Sequence, residues 1–90
     1  MQEIHARVYG RVQFVMFRDF TCRNAKRLQL VGTVQNLPDG SVAVVAQGKK
    51  EALEELIGRL HKGSLLSRVE RVDVEWGDVT TSHKTFTITY

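Results

Sequence analysis

The chain begins with an alternation of apolar and polar residues that runs from residue 3 to residue 12. Because successive side chains of a strand point to opposite faces of a sheet, this alternation predicts a first strand with one buried face. The expected inward residues are Ile4, Ala6 and Val8, and the outward ones are His5, Arg7 and Tyr9. From Phe17 to about Leu28 the apolar and small positions recur at helical spacing instead, so an amphipathic helix follows.

The middle of the chain predicts a hairpin and a second helix. Residues 29–36 (QLVGTVQN) and 41–47 (SVAVVAQ) are rich in β-branched residues, and the segment LPDG between them has the composition of a tight turn. Residues 49–62 then show the clearest helical periodicity, and Gly63 is a natural stop. The apolar face of this second helix consists of Ala52, Leu53, Leu56, Ile57 and Leu60.

Two more strands are predicted after the second helix. The alternating residues of the fourth strand are Val72, Val74 and Trp76. Val69 is out of phase with this alternation, so we expect a bend near residues 70–71. Residues 85–90 predict a last strand. Its inward side chains are expected to be Phe86, Ile88 and Tyr90.

This order of elements is typical of the α+β class. Two right-handed strand-helix-strand crossovers that interleave in one sheet give a ferredoxin-like βαββαβ split sandwich, here with an extra C-terminal strand. We expect a mixed or antiparallel sheet with both helices on one face and water on the other. The polar side chains expected on the open face are His5, Arg7, Gln35 and Gln47. Ninety residues suffice for one core, so residues 1–90 are predicted to form a single domain.

Composition indicates the class of protein and its expected cellular location. An apolar fraction of 42% and a charged fraction of 26% are ordinary for a globular protein. No apolar run reaches the length of a membrane span, and the first residues do not resemble a signal peptide, so we expect no membrane association. The single cysteine, Cys22, excludes an internal disulfide and suits a reducing cytosol. These features predict a cytoplasmic location.

The connection between the first strand and the first helix is a candidate anion site. A helix start leaves its first backbone N–H groups without partners, and the helix dipole adds positive charge there. Arg18 falls in the first turn, where a cation is unfavourable unless an anion lies beside it. The net charge of +3 also favours anionic ligands, although a similar excess is common on a solvated surface.

Asn36 ends the second strand close to this connection and has two interpretations. Its carboxamide is suited to capping the turn that follows, which is the commoner role beside a Pro-Asp-Gly segment. It is also able to hold a water molecule by accepting one hydrogen bond and donating another. No other chemistry is indicated: no nucleophile has an assignable base, and the histidines show no metal-ligand spacing. The remaining acidic cluster, expected on a helix surface, is Glu51, Glu54 and Glu55.

Two motifs give the chain a resemblance to the acylphosphatase family over essentially its whole length. The family's first signature is a strand followed by G-x-V-Q-G-V-x-F/M-R, and residues 10–18 read GRVQFVMFR. The second is G-aromatic-x-x-N-x-x-x-G-x-V-x5-G. Its matching positions are Gly32, Asn36, Gly40, Val42 and Gly48.

The resemblance implies hydrolysis of the carboxyl-phosphate bond of small acyl phosphates, such as acetyl phosphate and 1,3-bisphosphoglycerate. By this resemblance Arg18 binds the phosphate and Asn36 positions the attacking water. The loop residues whose N–H groups are implied to help bind the phosphate are Gln13, Phe14, Val15, Met16, Phe17 and Arg18. The resemblance implies no metal and no organic cofactor, and we expect a monomer.

Phe14 departs from the family pattern, which has glycine at that position. Glycine permits positive φ and a close approach of the backbone to an anion, whereas a bulky residue held there costs on the order of 1–3 kcal/mol. The loop is therefore expected either to keep its shape under strain or to change shape, with weakened or altered phosphate binding. An impaired homologue that serves as a binding or regulatory module is the alternative function. Thr33 also replaces an aromatic residue, which we expect to alter packing rather than chemistry.

A nucleic-acid-binding domain is the rival from another functional class. The ferredoxin-like sheet is also that of RNA-recognition motifs, and this chain is basic. Those motifs carry stacking aromatic residues on the third strand, where this chain has SVAVVAQ. Only Tyr9 is suitably placed to stack on a base from the open face. We therefore expect no nucleic acid partner.

Overall fold

The computed structural model describes residues 1–90 and contains five strands and two helices. Their bounds are β1 (Gln2–Arg11), α1 (Phe17–Arg27), β2 (Val31–Asn36), β3 (Val42–Gly48), α2 (Lys50–Lys62), β4 (Arg68–Gly77) and β5 (Phe86–Thr89). This is the predicted order of elements, and the boundaries predicted for six of the seven elements lie within about two residues of the observed ones. Neither helix is long and apolar enough to cross a membrane.

The strands form one mixed sheet in the order β4-β1-β3-β2-β5. β1 pairs with both β3 and β4 in antiparallel fashion, β2 and β3 form the predicted antiparallel hairpin, and β5 joins β2 in parallel. Because β1 and β3 lie side by side at the centre, the two crossovers interleave. The ferredoxin-like arrangement with an additional edge strand is therefore confirmed.

The core lies between one face of this sheet and the two helices. The alternation predicted for β1 is confirmed, because Ile4, Ala6 and Val8 are all buried. They pack in one cluster with apolar side chains of β2 and β3 and of both helices. The helix residues of that cluster are Phe17, Cys22, Ala25, Leu53, Leu56 and Leu60. This packing fixes the position of the α1 N-terminus at the end of β1.

The irregularity predicted in β4 is a β-bulge. Arg71 lies opposite Tyr9 and Val69 lies opposite Gly10, which leaves Glu70 as the extra residue. Gly10 has φ of 125°, and a Cβ there would lie 2.2 Å from a backbone oxygen of β4. The close approach of the two strands thus requires glycine at the point where β1 leads into the loop before α1.

The second strand begins at Val31 rather than at residue 29 because the preceding residues complete α1. The N–H groups of Leu28, Gln29 and Leu30 all donate to carbonyl groups of the last helical turn. Gln29 also has φ of 60°, the left-handed conformation common just after a helix. Residues 29–30 therefore complete the C-terminus of α1, although the predicted strand included them.

Two predicted side-chain orientations are wrong. Tyr90 does not point into the core: it follows β5, is 91% exposed and lies against Arg18. Gln47 belongs to the open face but is buried rather than in water. Its amide donates to the carboxylate of Glu3 and to the carbonyl oxygen of Thr81, so the segment before β5 covers this corner of the sheet.

Candidate active site

The loop between β1 and α1 supplies an array of unpaired donors. None of the backbone N–H groups of residues 13–19 donates a hydrogen bond to a backbone or side-chain acceptor in the protein. Met16 is the N-cap residue, and its side chain makes no capping bond. Successive free N–H groups at a helix start carry partial positive charge and attract anions. The local structure is therefore that of an anion-binding loop.

Two residues of this loop adopt the left-handed conformation that favours glycine. Phe14 has φ of 61° and Met16 has φ of 59°. At Phe14 the loop thus keeps a glycine-like backbone, and the ring points into solvent with 95% of its surface exposed. Of the two outcomes expected for this position, the structure shows the retained conformation with its strain. The same strain at Met16 was not expected from the sequence.

Arg18 lies in the first turn of α1, as predicted, and forms no ion pair with a carboxylate. Its guanidinium carbon lies 4.8 Å from the centroid of the Tyr90 ring, a cation–π arrangement. The stacked ring limits the directions in which the guanidinium can turn, while the N–H groups at its edge stay free to bind. An unpaired arginine at the positive end of a helix is arranged for an anionic ligand.

Asn36 is the last residue of β2 and does not cap the turn that follows it. The turn closes by itself: the N–H of Leu37 donates to the carbonyl oxygen of Ser41 at 2.8 Å. The hydroxyl and N–H of Ser41 in turn donate to Asp39, and these bonds lower the pKa of that carboxyl. The Oδ1 atom of Asn36 is buried and has no hydrogen-bond partner in the protein. The commoner interpretation, turn capping, is therefore wrong for this residue.

Arg18 and Asn36 meet at one pocket of about 350 Å³. The pocket is lined by Val12, Phe14, Met16, Phe17, Arg18, Asp19, Asn36, Ile88 and Tyr90. Of the predicted loop residues, Gln13 and Val15 do not line it. The tertiary structure thus brings together a free guanidinium, unpaired loop amides and an unpartnered carboxamide oxygen, although Arg18 and Asn36 belong to different elements.

Sequence reasoning missed the role of the Gln13 side chain. Its Nε2 atom donates to the carbonyl oxygens of Leu37 at 2.8 Å and of Ser41 at 2.9 Å. These two bonds join the anion-binding loop to the hairpin turn directly after Asn36. The only sequence signal was a glutamine inside the first motif, because its acceptors lie 24 and 28 residues away.

Comparison with known proteins gives a consistent result. The acylphosphatase family model matches residues 4–88. The acylphosphatase of Salinibacter ruber is 46% identical over 87 residues, which cover 97% of this chain and 92% of that protein. The acylphosphatase of Thermococcus kodakarensis is 51% identical over 72 residues, which cover 80% and 79% of the two chains.

Solved structures show the same relationship. The crystal structure of acylphosphatase from Bacillus subtilis superimposes with a TM-score of 0.97 at 34% identity, over 100% of both chains. The resemblance inferred from the two motifs is thereby confirmed. The chain belongs to the acylphosphatase family, whose members are hydrolases that act on small acyl phosphates.

Proposed function

We propose that this acylphosphatase binds the phosphoryl group of its substrate with Arg18 and the loop N–H groups of residues 13–18, and that Asn36 positions the attacking water. The observation that carries the proposal is the carboxamide of Asn36, which lines the same pocket as Arg18 and whose Oδ1 has no hydrogen-bond partner in the protein. A buried polar atom without a partner costs about 1–3 kcal/mol. A turn of the Asn36 side chain toward the pocket would let Oδ1 accept a hydrogen bond from a bound water, which would remove that cost.

Phosphate binding rests on charge and geometry together. The planar guanidinium of Arg18 can donate two parallel hydrogen bonds to phosphoryl oxygens, and the free amides at the helix start add further donors. Charge-assisted bonds of this kind contribute about 1.5–3 kcal/mol each. Because negative charge on the three non-bridging oxygens must be held in the transition state, these donors lower the barrier as well as bind the substrate.

In the chemical step the water oxygen forms a bond to phosphorus while the bond from phosphorus to the carboxyl oxygen breaks. The carboxylate leaves with the bonding electron pair, and a proton from the water passes to solvent. A carboxylate is a good leaving group, so the site needs no strong general acid. Alignment of the water is the remaining requirement, and an acceptor fixed at the end of β2 meets it.

The proposal is tested with acetyl phosphate and two matched pairs of variants. Arg18→Ala is expected to weaken phosphate binding and to lower kcat by about 10²–10³-fold, whereas Arg27→Ala on the same helix should change neither. Asn36→Ala is expected to lower kcat with little change in KM. Gln35 is the exposed residue next to Asn36, and Gln35→Ala should behave like the unaltered protein. Full turnover by Asn36→Ala would contradict the proposed role of Asn36 in positioning the water.

Two further readouts complete the test. In heavy-oxygen water the label is expected in the released phosphate, since the attack is at phosphorus. The positive charge that the site needs comes from Arg18 and the amides, so the proposal includes neither a metal nor an organic cofactor. Prolonged treatment with a metal chelator should therefore leave the rate unchanged.

We also propose a cytoplasmic monomer that folds as one domain over residues 1–90 and binds no nucleic acid. Support comes from the single core cluster and from Cys22, which is a buried free thiol. The side chains of β3 on the open face include Ala43 and Val45 rather than stacking aromatic residues. Sedimentation equilibrium and a gel shift with single-stranded RNA test the oligomeric state and the absence of RNA binding.

A further inference from the structure

The pocket that holds the proposed phosphate groups is otherwise lined by apolar side chains. Its apolar residues are Val12, Phe14, Met16, Phe17, Ile88 and Tyr90. A phosphoryl group bound at the start of α1 would occupy only the polar end of a space of about 350 Å³. The acyl group of the substrate must then lie in the remainder, against these apolar side chains.

The outer part of this apolar lining contributes little to the core. Phe14, Met16 and Tyr90 are largely exposed, although large apolar side chains gain free energy when they are buried. The backbone conformation of Phe14 even costs free energy, on the order of 1–3 kcal/mol. All three surround the opening of one pocket, so a ligand in that pocket would bury them together.

A second apolar groove adjoins the pocket at Met16, which lines both. The groove measures about 290 Å³. Its apolar walls are Val15, Met16, Phe20, Leu65 and Leu66. Leu65 is 98% exposed and Leu66 is 66% exposed, so neither contributes much to the core. The apolar surface therefore extends from the phosphate end of the pocket, over Met16, to the loop that follows α2.

Charge at the opening favours an uncharged acyl group. Arg18 is the only cationic side chain that lines the pocket, and its guanidinium is already assigned to the phosphate. Asp19 lines the same pocket and is exposed. A carboxylate or a second phosphate on the acyl group would meet this negative charge inside the pocket, where Arg18 is already assigned to the phosphate. Arg23 is the one cation that lines the second groove, so this repulsion applies to short acyl groups that stay in the pocket.

From these observations we infer that the substrates of this enzyme are acyl phosphates with an apolar, aliphatic acyl chain longer than acetyl. The chain lies against Phe14 and Met16 and extends into the groove beside Leu66. Phe14 and Leu66 are thus specificity-determining residues. The inference rests on the proposed function, since it places the phosphate at Arg18 and the loop.

The test compares acetyl, butyryl, hexanoyl and octanoyl phosphate, all below the concentrations at which they form micelles. These substrates have nearly the same leaving-group acidity, so differences in kcat/KM report the contacts of the chain. We expect kcat/KM to rise by about tenfold or more from acetyl to octanoyl phosphate. Succinyl phosphate, which carries a carboxylate on its acyl group, is expected to fall below butyryl phosphate.

Variants locate the effect. Phe14→Ala and Leu66→Ala are each expected to reduce the octanoyl-to-acetyl ratio of kcat/KM by about threefold to tenfold. Phe14→Leu, which keeps a large apolar side chain, should retain most of the ratio. Val79→Ala, at an exposed apolar position away from both grooves, is the control and should leave the ratio unchanged.

The failure of this inference is distinguishable from that of the proposed function. Two results would overturn the acyl-chain assignment alone, provided that acetyl phosphate is hydrolysed. One is a kcat/KM that does not change with chain length, and the other is an octanoyl-to-acetyl ratio of kcat/KM that neither Phe14→Ala nor Leu66→Ala alters. If Arg18→Ala does not impair acetyl phosphate hydrolysis, the phosphate site is misplaced and both proposals fail.

Discussion

The side-chain amide of Gln13 donates to the carbonyl oxygen of Leu37 at 2.8 Å, and so connects the loop before α1 to the turn after β2. Leu37 directly follows Asn36, and Gln13 directly precedes the strained residue Phe14. The two halves of the site are therefore joined through one side chain. The distance between the phosphate-binding loop and the proposed water-positioning residue depends on this bond as well as on the sheet.

Replacement of Gln13 is expected to loosen that connection. Gln13→Ala leaves the carbonyl oxygens of Leu37 and Ser41 without these donors and should destabilise the fold by about 1–3 kcal/mol, measured by urea unfolding. Gln13→Glu should be worse, because a carboxylate would face two carbonyl oxygens. Gln35→Ala, which removes an exposed glutamine from β2, is the control. Equal stability of Gln13→Ala and Gln35→Ala would show that the connection contributes nothing.

Because Phe14 is strained, its replacement by glycine is expected to stabilise the fold, whereas most substitutions destabilise it. Because its φ of 61° is a conformation that glycine adopts freely, Phe14→Gly is expected to raise the free energy of unfolding by about 1 kcal/mol. Val15→Gly, at a neighbour without positive φ, should lower it by a similar amount or more. Thermal unfolding of both variants measures the difference, and destabilisation by Phe14→Gly would contradict the strain. Hydrolysis of acetyl phosphate by the unaltered chain separately excludes the impaired-homologue alternative.

Arg18 is expected to be irreplaceable by the other basic residue. Arg18→Lys keeps the positive charge but loses the planar pair of donors and the stacked contact with Tyr90. We expect kcat/KM for acetyl phosphate to fall by about 10²-fold, although the helix itself remains intact. Circular dichroism gives the check on folding. Near-normal activity would mean that charge alone, and not the shape of the guanidinium, binds the phosphate.

Glu3 predicts a loss of stability in acid. Burial by itself raises the pKa of this carboxyl, but hydrogen bonds from Gln47, His5 and Thr80 outweigh it and bring the pKa down from 4.5 to about 2. Because the folded-state pKa lies below the unfolded one, the stabilisation is complete above about pH 4.5 and is lost as the pH falls toward 2. The segment that Glu3 holds through Thr80 should loosen over the same range.

The measurement for Glu3 is the free energy of unfolding as a function of pH. Glu3→Gln is expected to cost about 1.5–3 kcal/mol at neutral pH and progressively less below pH 4.5, so that its curve approaches that of the unaltered protein in acid. Glu54→Gln, at an exposed position of α2 away from Glu3 and its partners, is the control and should not alter the curve. Parallel curves for the unaltered protein and Glu3→Gln would remove Glu3 as the source of the pH dependence.

The sequence by itself determined the order of the elements, the buried face of β1, an irregularity in β4 and the places of Arg18 and Asn36 at element ends. These features depend on periodicity and on residues close together in the chain, because a strand or an amphipathic helix shows its buried face locally. The two motifs were sufficient to identify the family because they specify residues at several turns and element ends.

Only the tertiary structure decided which side chains meet across the fold. The bonds of Gln13, the burial of Gln47 and the contact of Tyr90 with Arg18 join elements that are far apart in the chain. Their partners are set by strand order and by the segments that cover the sheet edge, and neither leaves a periodic signal. Phe14 belongs to the same group, because the sequence allowed either a strained loop or an altered one. The packing of α1 against β2 and β5 and the two hydrogen bonds of Gln13 hold the strained loop.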